Sequence, residues 1–305
     1  MNKEKKTVLI TGGNGMIGKH LTRQLLEAGF QVRWLVRRTL STNDSVEMFR
    51  WSVTENYIDP KAFEGTDCII HLAGENVGAA RWTTKRKKAI LESRISTSTL
   101  LIRGIKESGV EIETFIAASA TGYYGGYVGD ELKTETSENG KDFLAEVTRE
   151  WEQAVEPVSL LVKRLVTFRI GVVLSHTGGA LQKLALPVKL FLGSPVGTGN
   201  QMISWIHLED LARVFRYAID HEKISGTFNA VAPLPVSNAE LTKALAKSMK
   251  RPLVLPNVPA FMLRLILGEM SEIVLLGCRV SCEKISKAGF EFRYPDIHSA
   301  VDSGN

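Results

Sequence analysis

Residues 7–18 read TVLITGGNGMIG, and the spacing inside this stretch decides the fold. Thr7–Thr11 is a short, β-rich apolar run, and Gly12, Gly15 and Gly18 follow it at three-residue intervals. An amphipathic helical pattern then continues through Ala28, and Gly29 stands where a helix closes with a left-handed residue. Gly12 permits the tight turn out of the strand. Gly15 lets the backbone approach a pyrophosphate with no Cβ in the way, and Gly18 lets the helix pack close to the strand. The start of the helix offers unpaired N–H groups and a positive dipole end to phosphate oxygens. A second strand, QVRWLV (31–36), follows directly, which is the context that makes such a loop specific.

Outward from this unit the same alternation repeats. TDCIIHLAG (66–74), ETFIAASA (113–120) and LVKRLVTFRIGVVL (161–174) read as strands. Residues 83–109 form one long helical pattern and DFLAEVTREWEQAV (142–155) another. Strands separated by helices predict right-handed crossovers and an α/β fold, a Rossmann-type doubly wound parallel sheet. Regularity fails after about Leu174: residues 176–202 mix a helix with Gly/Pro turns, WIHLEDLARVFRYAID (205–220) is helical, and GTFNAVA (226–232) is a strand. Three or four further helices are expected in the tail. The expected organisation is a dinucleotide-binding domain over 1–174, its sheet completed by parts of 205–231. Residues 175–204 and 232–305 would form a smaller, mixed C-terminal substrate lobe, with the ligand in the crevice between the two.

The totals fit an ordinary globule of 305 residues, 44% apolar and 23% charged, with a net charge of +5. Cys68, Cys278 and Cys282 lack the partners of a metal set and read as small core residues in a reducing cytoplasm. MNKEKK runs straight into TVLITGG, leaving too short an apolar run for a signal peptide. VPAFMLRLILGEMSEIVLLGC (258–278) is interrupted by Arg264, Glu269 and Glu272, which argues for a partly buried helix pair and against a membrane span. The densest basic patch, RWTTKRKK (81–88), has no interleaved aromatics, so nucleic acid is not an expected partner. It reads as a solvated helix face, or as a site where Arg81 and Lys85 meet an anion.

The second strand ends in WLVRR. A carboxylate at this place would accept from the adenosine ribose 2′-hydroxyl of NAD. Arg37 and Arg38 cannot accept hydrogen bonds, but they suit a 2′-phosphate, so the expected cofactor is NADP rather than NAD.

Several longer motifs carry a resemblance. TGGNGMIG, HLAG, ASATGYYG and SWIHLEDLA resemble the extended short-chain dehydrogenase/reductase superfamily. AGENVGAARWTTKRKKAILESRISTSTLL, MISWIHLEDL and GFEFRYPD resemble one branch of it, described as NAD-dependent epimerase/dehydratase-like or nucleoside-diphosphate-sugar epimerase-like. That branch ends in a domain of unknown function, matching roughly 252–301. The resemblance implies a phosphate loop of Gly12, Gly15, Met16, Ile17 and Gly18 with Leu72, Ala73 and Gly74 beneath the adenosine ribose; Thr11, Arg37 and Arg38 complete the expected cofactor-binding set. It implies a small polar substrate, with a nucleotide sugar as one form, and a homodimer joined through the two long helices.

The resemblance also exposes a departure. The superfamily's Tyr-x-x-x-Lys belongs on DFLAEVTREWE, and neither residue is there: Phe143 is followed at that spacing by Val147, and Leu144 by Thr148. In the superfamily the Tyr moves the proton and the Lys lowers its pKa. The Ser or Thr that orients the carbonyl aligns on Ala120, between Ser119 and Thr121. With the dyad missing, Tyr124, Ser119 and Thr121 are the catalytic candidates, Tyr124 being either proton donor or cleft wall. Glu75, Tyr123, Arg94, His207 and Asn229 are the substrate-side candidates. Each has a structural alternative: surface charge for Glu75, a buried ring for Tyr123, helix packing for Arg94 and its neighbour Ser96, lobe anchoring for His207 with Trp205 and Asp210, and a turn for Asn229. Two functions remain open: an NADP-dependent oxidoreductase or epimerase-like enzyme, and a non-catalytic NADP-binding redox sensor or scaffold.

Overall fold

The computed structural model describes residues 5–38, 45–127 and 129–303, so the first four residues of the charged N-terminal stretch lie outside the described part. At its centre is an eight-stranded sheet. Its strands are β1 (Thr7–Thr11), β2 (Gln31–Val36), β3 (Glu47–Ser52), β4 (Tyr57–Ile58), β5 (Cys68–His71), β6 (Ile112–Ala120), β8 (Val162–Ile170) and β12 (Gly226–Ala230). Their order is β12-β8-β6-β5-β1-β2-β3-β4, parallel throughout except for the β3–β4 edge. β1 and β5 are buried along their whole length, which requires cover on both faces and explains their unbroken apolar runs.

That cover comes from four helices. α1 (Met16–Glu27) packs against α5 (Leu208–Asp220), and α2 (Thr84–Ser108) packs against α3 (Phe143–Val155). Their ends follow local chemistry. Thr83 caps α2 at the Arg86 N–H, Gly109 closes it at φ 64°, and Asp142 caps α3 at the Ala145 N–H. The chain runs from β1 outward to β4, then returns to the other side of β1 to lay down β5. The strand order therefore reverses between β1 and β5, and the crevice beyond their carboxyl ends is the expected ligand position.

Three short ladders join the remaining chain to this frame. β7 (Leu132–Lys133) pairs with β14 (Arg279–Val280), β9 (Val172–Leu174) with β11 (Trp205–His207), and β10 (Met202–Ile203) with β13 (Val236–Ser237). The expected strand 161–174 is thus two strands. A Cβ on Gly171 would lie 2.6 Å from the Ser204 carbonyl oxygen, and at this crowded point the chain leaves the main sheet to pair with β11. β11 likewise takes the first three residues of the stretch expected to be helical. β3 and β4 lie in a segment that the periodicity leaves unassigned.

A second core gathers around Trp205, with α4 (Gly179–Lys189), α6 (Asn238–Ser248) and the terminal helix Ile297–Asp302. Among the described residues the tail holds five α-helices where three or four are expected, because 268–287 breaks into pieces of five residues or fewer. α7 (Ala260–Leu267), expected to be partly buried, has no buried residue: Phe261 is 68% and Leu265 77% exposed. Among the described residues no helix is long and apolar enough to cross a membrane. All three cysteines are buried thiols.

Gly13 is a requirement that the motif spacing hides. A Cβ there would sit 2.4 Å from Cδ1 of Trp34, whose indole donates to the Thr22 hydroxyl at 2.9 Å. Gly13→Ala is expected to cost about 1–3 kcal/mol in urea denaturation. In a Trp34→Leu background most of that cost should vanish. Strictly additive costs in the double-mutant cycle would contradict the contact.

Candidate active site at the strand reversal

The crevice is built on one hydroxyl. Thr11 Oγ1, fully buried at the end of β1, accepts from the N–H groups of Leu72 (3.0 Å) and Ala73 (3.1 Å). Its own proton then goes to His71 Nδ1 at 2.8 Å. His71 Nε2 therefore carries the ring proton and donates to Ser98 Oγ (3.1 Å), which donates to the Arg94 carbonyl (2.8 Å). This chain ties β1, the exit of β5 and α2 into one frame, with every buried polar atom along it satisfied.

Above the frame sits the glycine loop. Gly12 has φ +69°, and a Cβ on it would lie 3.1 Å from the Leu72 carbonyl carbon. A Cβ on Gly18 would lie 2.4 Å from the Gly12 oxygen, so α1 rests directly on the loop. Gly15 is different. It is exposed, and only the Gly12 oxygen approaches its Cβ position. It is also the N-cap of α1, with no side-chain cap and no acidic residue in the first turn. The N–H groups of Met16, Ile17 and Gly18 thus open onto a cradle that a Cβ would fill, a donor set that fits a diphosphate. The turn before α4 lies over the same place, since a Cβ on Gly178 would meet Met16 Sδ at 3.2 Å. Arg37 and Arg38 are exposed just past the end of β2, beside β1.

At the end of β6 the chain enters a 3-10 turn, Thr121–Tyr124. Here the structure assembles a buried polar cluster. Arg169 of β8 forks onto Glu152 of α3 (Nε–Oε1 2.9 Å, Nη2–Oε2 2.8 Å), and Ser119 donates to Glu152 Oε1 at 2.6 Å. Arg169 Nη1 also donates to the Tyr124 hydroxyl (3.1 Å) and the Glu135 carbonyl (3.2 Å), while its guanidinium lies over the Tyr123 ring. Tyr124 is 4% exposed and gives its proton to Asn229 Oδ1 at 2.6 Å. Burial pushes its pKa up to about 12, against the pull of Arg169. Asn229 is held in turn by the Glu135 carboxylate and the Ser281 carbonyl. Of the three catalytic candidates, Thr121 alone lines the open cleft.

Glu152, Arg169 and Glu135 were missed from the sequence. A signal existed for Arg169: a charged residue inside the apolar run LVTFRIGVVL is buried at a cost unless it is paired.

On α3, Leu144 faces the turn: it lies 3.3 Å from a Cβ placed on Gly122 and lines the cleft. Thr148 lies one helical turn on and is buried, its hydroxyl given to the Leu144 carbonyl. These two therefore occupy the positions that face the β6 end. The other substrate-side candidates are spread out. The Glu75 carboxylate pairs with Arg86 at 2.9 Å. Arg94 lies over the Trp151 ring and donates to the carbonyls of Glu75 and Ile90. His207 caps α5, packs at a tilt against the Tyr294 ring and contacts Ser303 in the second core, away from this cluster.

The last wall comes from the C-terminal segment. Glu272, Ile273, Leu276 and Cys278 line the cleft opposite Thr121 and Leu144. Their segment is stitched to the site by the paired Tyr127 and Gly277 backbones, by the Ser204 hydroxyl to the Cys278 carbonyl, and by the β7–β14 ladder.

Comparison with known proteins agrees with this layout. Residues 8–145 match the NAD dependent epimerase/dehydratase family, and 258–303 match a domain of unknown function, DUF1731. An epimerase family protein of Mycobacterium leprae is 36% identical over 97% of this chain and 95% of its own length. One of Bacillus subtilis is 35% identical, covering 96% of each. Among solved structures, human epimerase family protein SDR39U1 with NADPH superposes at TM-score 0.86 and 27% identity, over 97% of this chain and 98% of that one. The nucleoside-diphosphate sugar epimerase of Corynebacterium glutamicum gives 0.78 at 37% identity, over 98% of this chain and 57% of that one. The chain belongs to the NAD-dependent epimerase/dehydratase family.

The frame beneath the loop carries a pH signature. Burial, with Arg94 nearby, lowers the His71 pKa to about 3, so His71 stays neutral in the folded protein while the unfolded chain protonates near 6.5. The stability this contributes is complete above about pH 6.5 and is lost as pH falls below it, by up to about 1.4 kcal/mol per pH unit. Between pH 7 and 5, His71→Asn should therefore lose about 2 kcal/mol less than the parent in urea denaturation. Equal losses would contradict the assignment.

Proposed function

We propose that this epimerase/dehydratase family member binds NADPH in the β1–β5 crevice and serves as an oxidoreductase- or epimerase-like protein for a small molecule held beyond β6. The observation that carries the reading is the uncapped start of α1 over Gly15, fixed on the Thr11 frame. The first-turn N–H groups of α1 would hold the diphosphate, Leu72–Gly74 would floor the adenosine ribose, and Arg37 and Arg38 would take the 2′-phosphate. The NADPH-containing human relative supports the choice of cofactor. Bound there, the reduced nicotinamide would supply a hydride.

On the substrate side the roles divide by position. Thr121 lines the cleft and can hydrogen-bond a substrate oxygen. Ser119 and Tyr124 act from behind it: both hydroxyl protons are committed, to Glu152 and Asn229, and the Arg169–Glu152 fork holds the turn in shape. Tyr124 then buttresses the turn behind the cleft and donates no proton to the substrate. Leu144 has no ionisable group and the Thr148 hydroxyl is given to the Leu144 carbonyl, so neither replaces the missing proton donor. This last observation favours a second reading, in which the protein binds NADPH as a redox sensor or scaffold without turnover.

Equilibrium titration of the purified chain tests the cofactor reading. NADPH should bind at least tenfold more tightly than NADH, since charge-assisted contacts are worth about 1.5–3 kcal/mol. The double variant Arg37→Ala/Arg38→Ala should bring the two affinities within about threefold. Equal affinities in the parent would overturn the assignment. NADPH oxidation with a carbonyl substrate would remove the sensor reading.

A further inference from the structure

The cleft beyond Thr121 has a chemistry that narrows its ligand. Apolar side chains from Leu144, Val172, Ile203, Ile273 and Leu276 make most of its wall. Its ionisable groups are two carboxylates, Asp142 and Glu272, and the Cys278 thiol, which burial keeps protonated with a pKa near 12. No Lys or Arg lines it among the described residues. Several cations on the surrounding elements are held in ion pairs: Arg169 with Glu152, Arg86 with Glu75, Lys87 with Glu269 and Lys133 with Glu131. Asp142 is itself fixed, one oxygen accepting from Ala145 N–H (2.8 Å) and the other from Gly126 N–H (2.6 Å).

Space is equally restrictive. The cavity measures about 160 Å³. The C-terminal segment lies hard against its floor: a Cβ on Gly126 would be 2.7 Å from Leu276 Cβ, and one on Gly277 only 1.9 Å from the Met202 oxygen. An aliphatic protein cavity of about 150 Å³ accommodates benzene. A nucleoside diphosphate would bring two negative charges against this wall, where no described Lys or Arg lines the cleft, and burying unpaired charge is costly.

We infer that the cleft takes an uncharged, compact and chiefly apolar group of about benzene size, and that the diphosphate of a nucleoside-diphosphate sugar is excluded from it by charge. This inference rests on the cofactor reading above, because it takes the cleft as the substrate side of that site. The C-terminal unit acquires a function through it, as the wall that sets ligand size and polarity.

Ligand-observed saturation-transfer NMR on the full chain tests this, with NADPH present and its binding measured separately by fluorescence. Acetophenone should bind saturably, and UDP-glucose should neither bind the cleft nor displace it. Leu276→Arg should weaken acetophenone at least tenfold with NADPH affinity unchanged. Ile273→Lys, at a 37% exposed position that folding tolerates, should do the same. UDP-glucose displacing acetophenone, absence of acetophenone binding to the NADPH-loaded protein, or indifference to Ile273→Lys would each overturn the inference. Failure of NADPH itself to bind would instead overturn the cofactor reading.

Discussion

The geometry of the crevice depends on the Thr11 hydroxyl. A strand that ends at a ligand site must stop pairing there, and the freed N–H groups of its neighbour then need an acceptor. Thr11 supplies it for Leu72 and Ala73, and its own proton is taken by a histidine that burial keeps neutral. The bend after β5 is thereby fixed within hydrogen-bond distance of the bend after β1. Everything placed above follows: Gly12 must clear the Leu72 carbonyl, Gly18 must clear Gly12, and α1 starts where both conditions are met.

The second organising feature is a largely buried ion pair behind the turn that follows β6. Here α3 spends its site-facing positions on Leu144 and Thr148, and its polar contribution one turn deeper, on Glu152. Such a pair adds little net stability, because desolvation offsets the attraction. Its geometric effect is larger. Arg169 reaches Glu152, Tyr124 and Glu135 while lying across Tyr123, so a single guanidinium fixes the turn after β6, α3 and the loop after β7. The result is a rigid wall behind an apolar cleft.

Much of the frame was legible in the sequence because it rests on short-range chemistry. The glycine spacing, the alternation of strand and helix and the left-handed closure at Gly29 each act within a few residues. Long-range features were not legible. Gly171 ends a strand only because the Ser204 carbonyl crowds it, and Gly13 is needed only because Trp34 folds back over it. Nothing adjacent to Glu152 in the sequence marks its partner, because Arg169 stands seventeen positions later. The choice of Leu144 over Phe143 as the cleft-facing residue depended on helix rotation, which the spacing alone left open. Phe143 instead packs edge-on against Trp82. The C-terminal segment gave the weakest signal, since its short helices are held by contacts with distant loops rather than by their own periodicity.

The central claim is that the first turn of α1, seated on the Thr11 frame, receives the phosphates of a pyridine nucleotide. Hydrogen–deuterium exchange of the backbone amides at Met16, Ile17 and Gly18, compared with and without saturating NADPH, tests it directly. These amides have no side-chain cap, so exchange there should slow markedly when the nucleotide is added. Unchanged exchange at these three positions in a protein that demonstrably binds NADPH would mean the phosphates lie elsewhere, and would contradict the account.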